Sequence, residues 1–241
     1  MVPPGLRPPG SRLLAIVAFL LVAGCAPGDE RRAERVVTPG AEHVAVGALG
    51  GRTGAYLTLS DAASRVRVVL TTLPGLLYRI STPAGSGLAP RVSGRDGRVQ
   101  AALLPTGGNG PDEVRIVLNR DVRWHIRLPA GAGEQQLDLR RGRVTGLGLG
   151  ASGLIEMQLP RPAGTVPVVL ESAAGSVVVT APPAAPVRVQ LTEGAGSATV
   201  PWQPPGPAPA GAVLQSPAFP AALDRYTIRA EQGVGALIVR R

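Results

Sequence analysis

Hydrophobic and polar residues alternate in short runs from Glu42 onward, and Gly or Pro separates one run from the next. Apolar residues at every second position place one side of a β-strand in a core and the other side in solvent. No stretch after residue 25 keeps the 3.6-residue apolar spacing of an amphipathic helix. We therefore predict an all-β mature chain. Three clear runs are Val66-x-Val68-x-Leu70, Val114-x-Ile116-x-Leu118 and Val122-x-Trp124-x-Ile126-x-Leu128.

Corners of small residues recur before the strands of the second half. They end on glycines that are 20, 22, 21 and 39 residues apart. A period near 21, with two short strands and two turns, is typical of one coil of a β-solenoid or one layer of a stacked β-sandwich. Glycine suits such corners because tight turns often need a positive φ. The corners are Gly131-Ala132-Gly133, Ala151-Ser152-Gly153, Ala173-Ala174-Gly175, Gly194-Ala195-Gly196 and Gly233-Val234-Gly235.

We divide the chain after the N-terminal segment into a β region, 42–128, and a β-repeat region, 129–241. The repeat region is expected to form one continuous stack with its apolar positions inward. The outward positions should include Glu156, Gln158, Arg188 and Gln190. The residues predicted to point inward are Leu137, Leu139, Ile155, Met157, Leu159, Val166, Val168, Leu170, Val177, Val179, Val187, Val189 and Leu191.

The interval of 39 residues predicts an insertion at 201–220, a stretch that contains seven prolines. Because proline cannot donate a hydrogen bond to a sheet, we expect this segment to leave the sheet as an extended loop. Trp202 and Phe219 bracket it. Either these two aromatics cap the flank of the stack at the base of the loop, or the loop is an exposed proline-aromatic arm that binds a partner.

The repeat resembles the toastrack or putative-adhesin domains of bacterial cell-envelope proteins. The resemblance rests on the corner spacing, on Leu128-Pro129-x-Gly131-Ala132-Gly133 and on Leu159-Pro160-x-Pro162-x-Gly164, and it covers roughly residues 124–200. It implies short strands stacked between glycine corners in a membrane-linked protein. It brings no catalytic residues, because the family has no shared catalytic set.

The N-terminal segment 1–24 has the pattern of a secretory signal peptide, which we expect to be helical. Arg7 and Arg12 precede an apolar run that begins at Leu13 and is too short to cross a bilayer. The run ends in Leu-Val-Ala-Gly-Cys25, which resembles the lipobox of bacterial lipoproteins. That resemblance implies a diacylglyceryl group on the Cys25 sulfur, with residues 25–41 as a tether. The alternative is an unmodified, buried cysteine in an ordinary signal peptide.

The composition limits both the core and the partners. Hydrophobic residues make up 44% but aromatics only 3%, so the core must be built from Val, Leu and Ile. All 25 basic residues are arginine, which is typical of a GC-rich bacterial genome. Residues 42–143 carry 14 arginines against 8 acids, and residues 144–241 carry 6 against 5. An exported protein does not meet nucleic acid, so anionic lipid head groups or wall polymers are the expected counter-surfaces. Evenly solvated arginines without a partner are the other interpretation.

The sequence supplies little for catalysis. His125 lies between Arg123 and Arg127, whose charges should lower its pKa, and no carboxylate on the same strand can orient it. Asp112-Glu113 and Asp121 are the nearest carboxylates to a pair, but adjacent strand residues point to opposite faces. We predict no catalytic residues, no metal site and no cofactor. The candidate surface contacts are Arg123, His125, Arg127, Trp202 and Phe219, and the lipidation site is Cys25.

These observations favour a non-enzymatic protein that a lipid anchors to the extracytoplasmic face of the cell membrane. Its rigid β surface would serve adhesion, wall attachment or envelope-stress sensing, with another envelope protein as a further candidate partner. The alternative is a lipoprotein that binds a small ligand or carbohydrate. That function needs a concave pocket with aromatic residues, for which Tyr56, Tyr78 and Trp124 are the candidates.

Overall fold

Nineteen β-strands make up the described part of the protein, residues 42–241 of a computed structural model, and no helix occurs among them. The signal-peptide helix, Cys25 and the tether lie outside these residues. The all-β prediction is confirmed. The strands are β1 His43–Ala48, β2 Gly54–Leu59, β3 Ala63–Thr71, β4 Leu76–Thr82, β5 Leu88–Ser93, β6 Arg98–Pro105, β7 Glu113–Asn119, β8 Arg123–Leu128, β9 Ala132–Asp138, β10 Arg143–Leu149, β11 Ser152–Gln158, β12 Thr165–Leu170, β13 Ala174–Thr180, β14 Val187–Leu191, β15 Ala195–Val200, β16 Gln203–Ala208, β17 Ala212–Gln215, β18 Arg225–Ala230 and β19 Val234–Arg240.

Two sheets pack face to face and run the length of the stack. The ten-stranded sheet has the order β1-β4-β7-β3-β9-β11-β13-β19-β15-β16, and the nine-stranded sheet has the order β17-β14-β18-β12-β10-β8-β2-β6-β5. From β7 to β15 consecutive strands alternate between the sheets, so a pair such as β8 and β9 forms one coil. Coils stack through parallel pairing, as in β8 with β10 and β9 with β11. Both sheets continue past residue 128 without a break, because β8 pairs with β2 and β10 in one sheet, and β9 pairs with β3 and β11 in the other.

The core is a set of aliphatic ladders that run across the coils. Met157 lies in register between Leu137 and Val179, so apolar side chains stack along the sheet. All thirteen residues predicted to point inward are buried. Of their predicted outward neighbours, Gln190 is exposed, whereas Glu156, Gln158 and Arg188 are half-buried. The predicted register of residues 129–191 is therefore correct.

One inward position breaks the aliphatic pattern. Gln135 is fully buried in register with Val66 and Ile155. Its Nε2 donates a hydrogen bond to the Gly150 carbonyl at 3.2 Å. The side-chain oxygen has no hydrogen-bond partner among the described residues. A polar residue at a core position is costly unless it is paired, and the alternation of the sequence does not signal it.

The corner glycines stack into a ladder, and the predicted positive φ is found at only two of them, Gly131 and Gly194. None of Gly133, Gly153, Gly175, Gly196 and Gly235 has a positive φ. A Cβ atom would instead strike the corner of the next coil: it would lie 2.6 Å from Gly153 O if placed on Gly175, and 2.8 Å from Gly235 O if placed on Gly196. Close approach of stacked backbones therefore excludes a side chain at these corners.

Chain order and spatial order differ at both ends of the stack. The last coil, β18–β19, lies between the coils β12–β13 and β14–β15. At the other end, β6–β7 packs outside β2–β3, which pairs on its other side with β8–β9. The repeat of about 21 residues is thus a repeat of conformation, and the coils β6–β7 and β18–β19 occupy positions in the stack that differ from their positions in the sequence.

The prediction for residues 201–220 is wrong, because this segment does not leave the sheets. β16 pairs antiparallel with β15, and β17 pairs antiparallel with β14. Each is the last strand of its sheet, and Pro204, Pro205 and Pro207 all lie in β16. An edge strand has one side without a neighbour, so it accommodates residues that lack an N–H. The shortness of β17 and the prolines of β16 also protect the stack from pairing with other chains.

Candidate interaction surface

Strand β8 places the predicted surface residues on the outer side of the nine-stranded sheet. Trp124, Ile126 and Leu128 point inward and are buried, whereas Arg123 and Arg127 are exposed and His125 is half-buried. The indole Nε1 of Trp124 donates a hydrogen bond to the Asn119 carbonyl at 2.9 Å, inside the core. This buried anchor fixes the register of β8. The sequence-based orientation of the three outward residues is confirmed.

Tyr56 joins these residues from the neighbouring strand β2. It lies in register with His125 on one side and with Arg98 of β6 on the other. The Tyr56 and His125 rings are 5.7 Å apart, and the Arg98 guanidinium carbon is 5.8 Å from the centre of the tyrosine ring. Tyr56 is 57% exposed, which leaves most of the ring available for contact. The row therefore combines cation–π contact with an open aromatic surface.

Two glycines of β10 make room for the groups on β8. Gly146 lies opposite His125, and a Cβ on it would lie 2.6 Å from the imidazole Nδ1. Gly148 lies opposite Arg127, and a Cβ on it would lie 2.6 Å from a carboxylate oxygen of Glu171. Arg127 Nη2 is 2.8 Å from that same oxygen. The His125 imidazole and the Arg127–Glu171 ion pair therefore lie over Gly146 and Gly148, whose lack of a side chain leaves room for them.

The environment of His125 favours its neutral form. Burial of the ring lowers its pKa, and the charge of Arg127 lowers that pKa further. The direction is the predicted one, but burial is the larger cause, and the sequence did not reveal it. A neutral imidazole at neutral pH means that arginine alone carries the positive charge of this surface.

The two sheets differ in the charge of their strands. The strands of the nine-stranded sheet contain eight arginines and no aspartate or glutamate. Those of the ten-stranded sheet contain five arginines and four acids, and Arg65 bridges Glu113 at 2.5 Å and Glu134 at 2.7 Å. We call the outer side of the nine-stranded sheet the arginine face. Its arginines are Arg91, Arg98, Arg123, Arg127, Arg143, Arg188, Arg225 and Arg229.

Most of these arginines lack a carboxylate partner. Of these eight arginines, only Arg127 and Arg229 form ion pairs with acids of residues 42–241, namely with Glu171 and Glu231. Arg123 and Arg143 lie directly opposite each other on adjacent strands. Like charges in that arrangement repel. The face is therefore an extended surface of guanidinium groups with a net positive potential.

The other two predicted contact residues lie elsewhere. Phe219 is buried, with the Arg225 guanidinium 4.7 Å from its ring centre, so it is not a surface contact. Trp202 is half-buried against the core beside β16, and the Arg241 guanidinium lies 5.7 Å from its ring. Of the two alternatives for these aromatics, packing against the flank of the stack agrees with the structure.

The aromatic pocket required by the alternative function is not formed. Tyr78 and Trp124 belong to the core, whereas Tyr56 points out of the opposite side of its sheet. Residues 42–241 contain no group of three or more His, Cys, Asp or Glu side chains that could hold a metal ion. No helix in the same residues is long and apolar enough to cross a membrane.

Comparison with solved structures supports the fold. A putative cell adhesion protein from Clostridium sporogenes superposes with a TM-score of 0.65 at 17% identity, over 83% of this chain and 98% of the other. A putative adhesin from Bacteroides fragilis covers the same shares at 8% identity, but its TM-score is only 0.27. No family model matches the chain, and no curated protein sequence matches it. The chain therefore has the stacked two-sheet fold of the clostridial protein.

Proposed function

We propose that this protein is a lipid-anchored component of a bacterial cell envelope that presents a rigid, non-catalytic β surface for adhesion. The observation that carries the proposal is the fold shared with the putative cell adhesion protein from Clostridium sporogenes along nearly the whole length of that protein. Continuous sheets with aliphatic interiors provide broad outer faces and little concave space for a reaction. Wall attachment and envelope-stress sensing are alternative uses of the same surface.

The anchor part of the proposal rests on Cys25 and the sequence before it. A diacylglyceryl group has two acyl chains, which hold a protein at a membrane where one chain gives only marginal binding. The tether 25–41 would separate the stack from the membrane surface. The partners in this function are the membrane itself and an anionic surface or another protein of the envelope.

Expression of wild type and Cys25→Ser in a bacterial host tests the anchor, with metabolic palmitate labelling and membrane fractionation as readouts. We expect label and membrane retention in the wild type only. Equal label and equal retention in both proteins would refute lipidation at Cys25. Adhesion is tested separately, by comparing the attachment of cells that display the wild type with that of cells that carry the empty vector.

A further inference from the structure

The arginine face owes its charge to the fold rather than to any basic segment. Its eight arginines lie in six different strands between residues 91 and 229. Alternation turns each of them outward, and stacking brings their strands to one side of the sandwich. Several acids flank these strands, but only Glu171 and Glu231, which follow strand ends, form ion pairs with arginines of the face. A second observation, independent of the charge, is the exposed Tyr56 ring beside Arg98.

The geometry of the face indicates an extended ligand. Strands in a sheet are about 4.8 Å apart, so the seven parallel strands span about 30 Å. Arginine binds carboxylate, sulfate and phosphate through paired N–H groups. Because the cations are spread across the face and no pocket gathers them, a polymer with repeated anionic groups fits better than one small anion.

Tyr56 favours a polysaccharide over other anionic partners. An exposed ring offers a flat apolar surface on which a sugar ring can stack, flanked by cations that can pair with its anionic groups. A membrane-binding face would need a set of contiguous apolar side chains. Only three other large apolar side chains are exposed in residues 42–241, and two of them, Leu223 and Ile238, lie outside the strands of this sheet.

We propose that the arginine face binds an acidic polysaccharide that lies across the strands. Arg98, Arg123 and Arg143 pair with its carboxylates, and Tyr56 stacks against a sugar ring. The proposal rests on the envelope function proposed above and names the class of partner for it. Arg123 and Arg143, which face each other without a carboxylate between them, gain most from a bound anion.

Binding of alginate, a linear polyuronate, to the full-length protein in non-ionic detergent tests the proposal by calorimetry. The key variant is Arg98→Gln/Arg123→Gln/Arg143→Gln. The matched control removes three arginines of the ten-stranded sheet, Arg67→Gln/Arg115→Gln/Arg240→Gln. We expect saturable alginate binding that weakens about tenfold in the face variant, because each exposed ion pair contributes roughly a few-fold in affinity. The control variant should stay within about twofold of wild type.

Tyr56→Ser separates sugar recognition from simple charge attraction. It should weaken alginate binding several-fold and leave the binding of linear polyphosphate unchanged. Neutral dextran should not bind. Thermal melting of each variant verifies that the surface changes leave the fold intact.

Three results would overturn the proposal. They are absence of saturable binding by wild type, equal losses in the face and control variants, and preferential binding to phosphatidylglycerol vesicles that the face variant abolishes. This assay is independent of the anchor. Wild-type protein that is membrane-retained and adhesive but does not bind alginate refutes the ligand alone, whereas unlabelled, non-retained protein refutes the envelope function.

Discussion

Replacing Gly175 by alanine tests whether stacking of the coils, rather than backbone conformation, demands glycine at the corners. The added Cβ would lie 2.6 Å from the Gly153 carbonyl oxygen, about 0.8 Å short of the 3.4 Å at which ordinary contact begins. The backbone has little freedom to move away. Ser152 N donates to Ala173 O at 3.3 Å, and Ala174 N donates to Gly233 O at 3.2 Å, so hydrogen bonds hold this corner from both sides.

The expected change in the free energy of unfolding of Gly175→Ala is the sum of two opposing contributions. Overpacking of this kind costs about 1–3 kcal/mol. Alanine also restricts the unfolded chain, which stabilises the folded state by about 0.4–1 kcal/mol when φ is compatible. The middle of the two ranges gives a net loss of about 1.3 kcal/mol, which lowers the melting temperature by roughly 3–5 °C in a domain of this size.

Gly233→Ala is the matched control for this measurement. Gly233 also lies at a corner, has no positive φ, and has nothing within 4 Å of an added Cβ. The only effect left in Gly233→Ala is that alanine restricts the unfolded chain, so the melting temperature of this variant should be unchanged or slightly higher. Thermal unfolding followed by circular dichroism provides the comparison. Equal melting temperatures for the two variants, or a more stable Gly175→Ala, would refute the close-approach explanation.

Three further predictions concern the core, the edges and pH. Tyr226→Phe should cost about 1–2 kcal/mol in chemical denaturation, because it removes the hydrogen bond from the Tyr226 hydroxyl to the buried Pro160 carbonyl at 2.8 Å; an unchanged denaturation midpoint would contradict this. Deleting residues 203–215 should lower the melting temperature and promote self-association, since it uncovers the edges of β14 and β15; a stable, monomeric deletion variant, measured by light scattering, would show that these edge strands are dispensable. His125 has a lowered pKa when folded, so the unfolded chain binds a proton more readily and stability falls as the pH decreases from above 6.5 through the folded pKa. His125→Gln should remove that part of the pH dependence, and identical pH profiles for the two proteins would refute it.

Local patterns in the sequence predicted the strands and their faces. Alternation has a period of two residues, and it alone decides which side chains of a strand share a face. This is why Val189 and Arg188 were assigned correctly to the inside and the outside. The small-residue corners likewise marked the coil boundaries. The signal segment and Cys25 carry predictions of their own, which remain to be tested by labelling and fractionation.

Tertiary structure decided which strands are neighbours, because pairing depends on hydrogen bonds between segments far apart in the chain. The insertion of β18–β19 beside β12–β13 has no signature in the spacing of the glycines. The same holds for the edge position of β16, which allows prolines in a sheet. Close packing of coils, not positive φ, explains Gly175. The arginine face also exists only in the folded protein: alternation turns each arginine outward, and the stacking of non-consecutive coils places residues as distant as Arg98 and Arg229 on one surface.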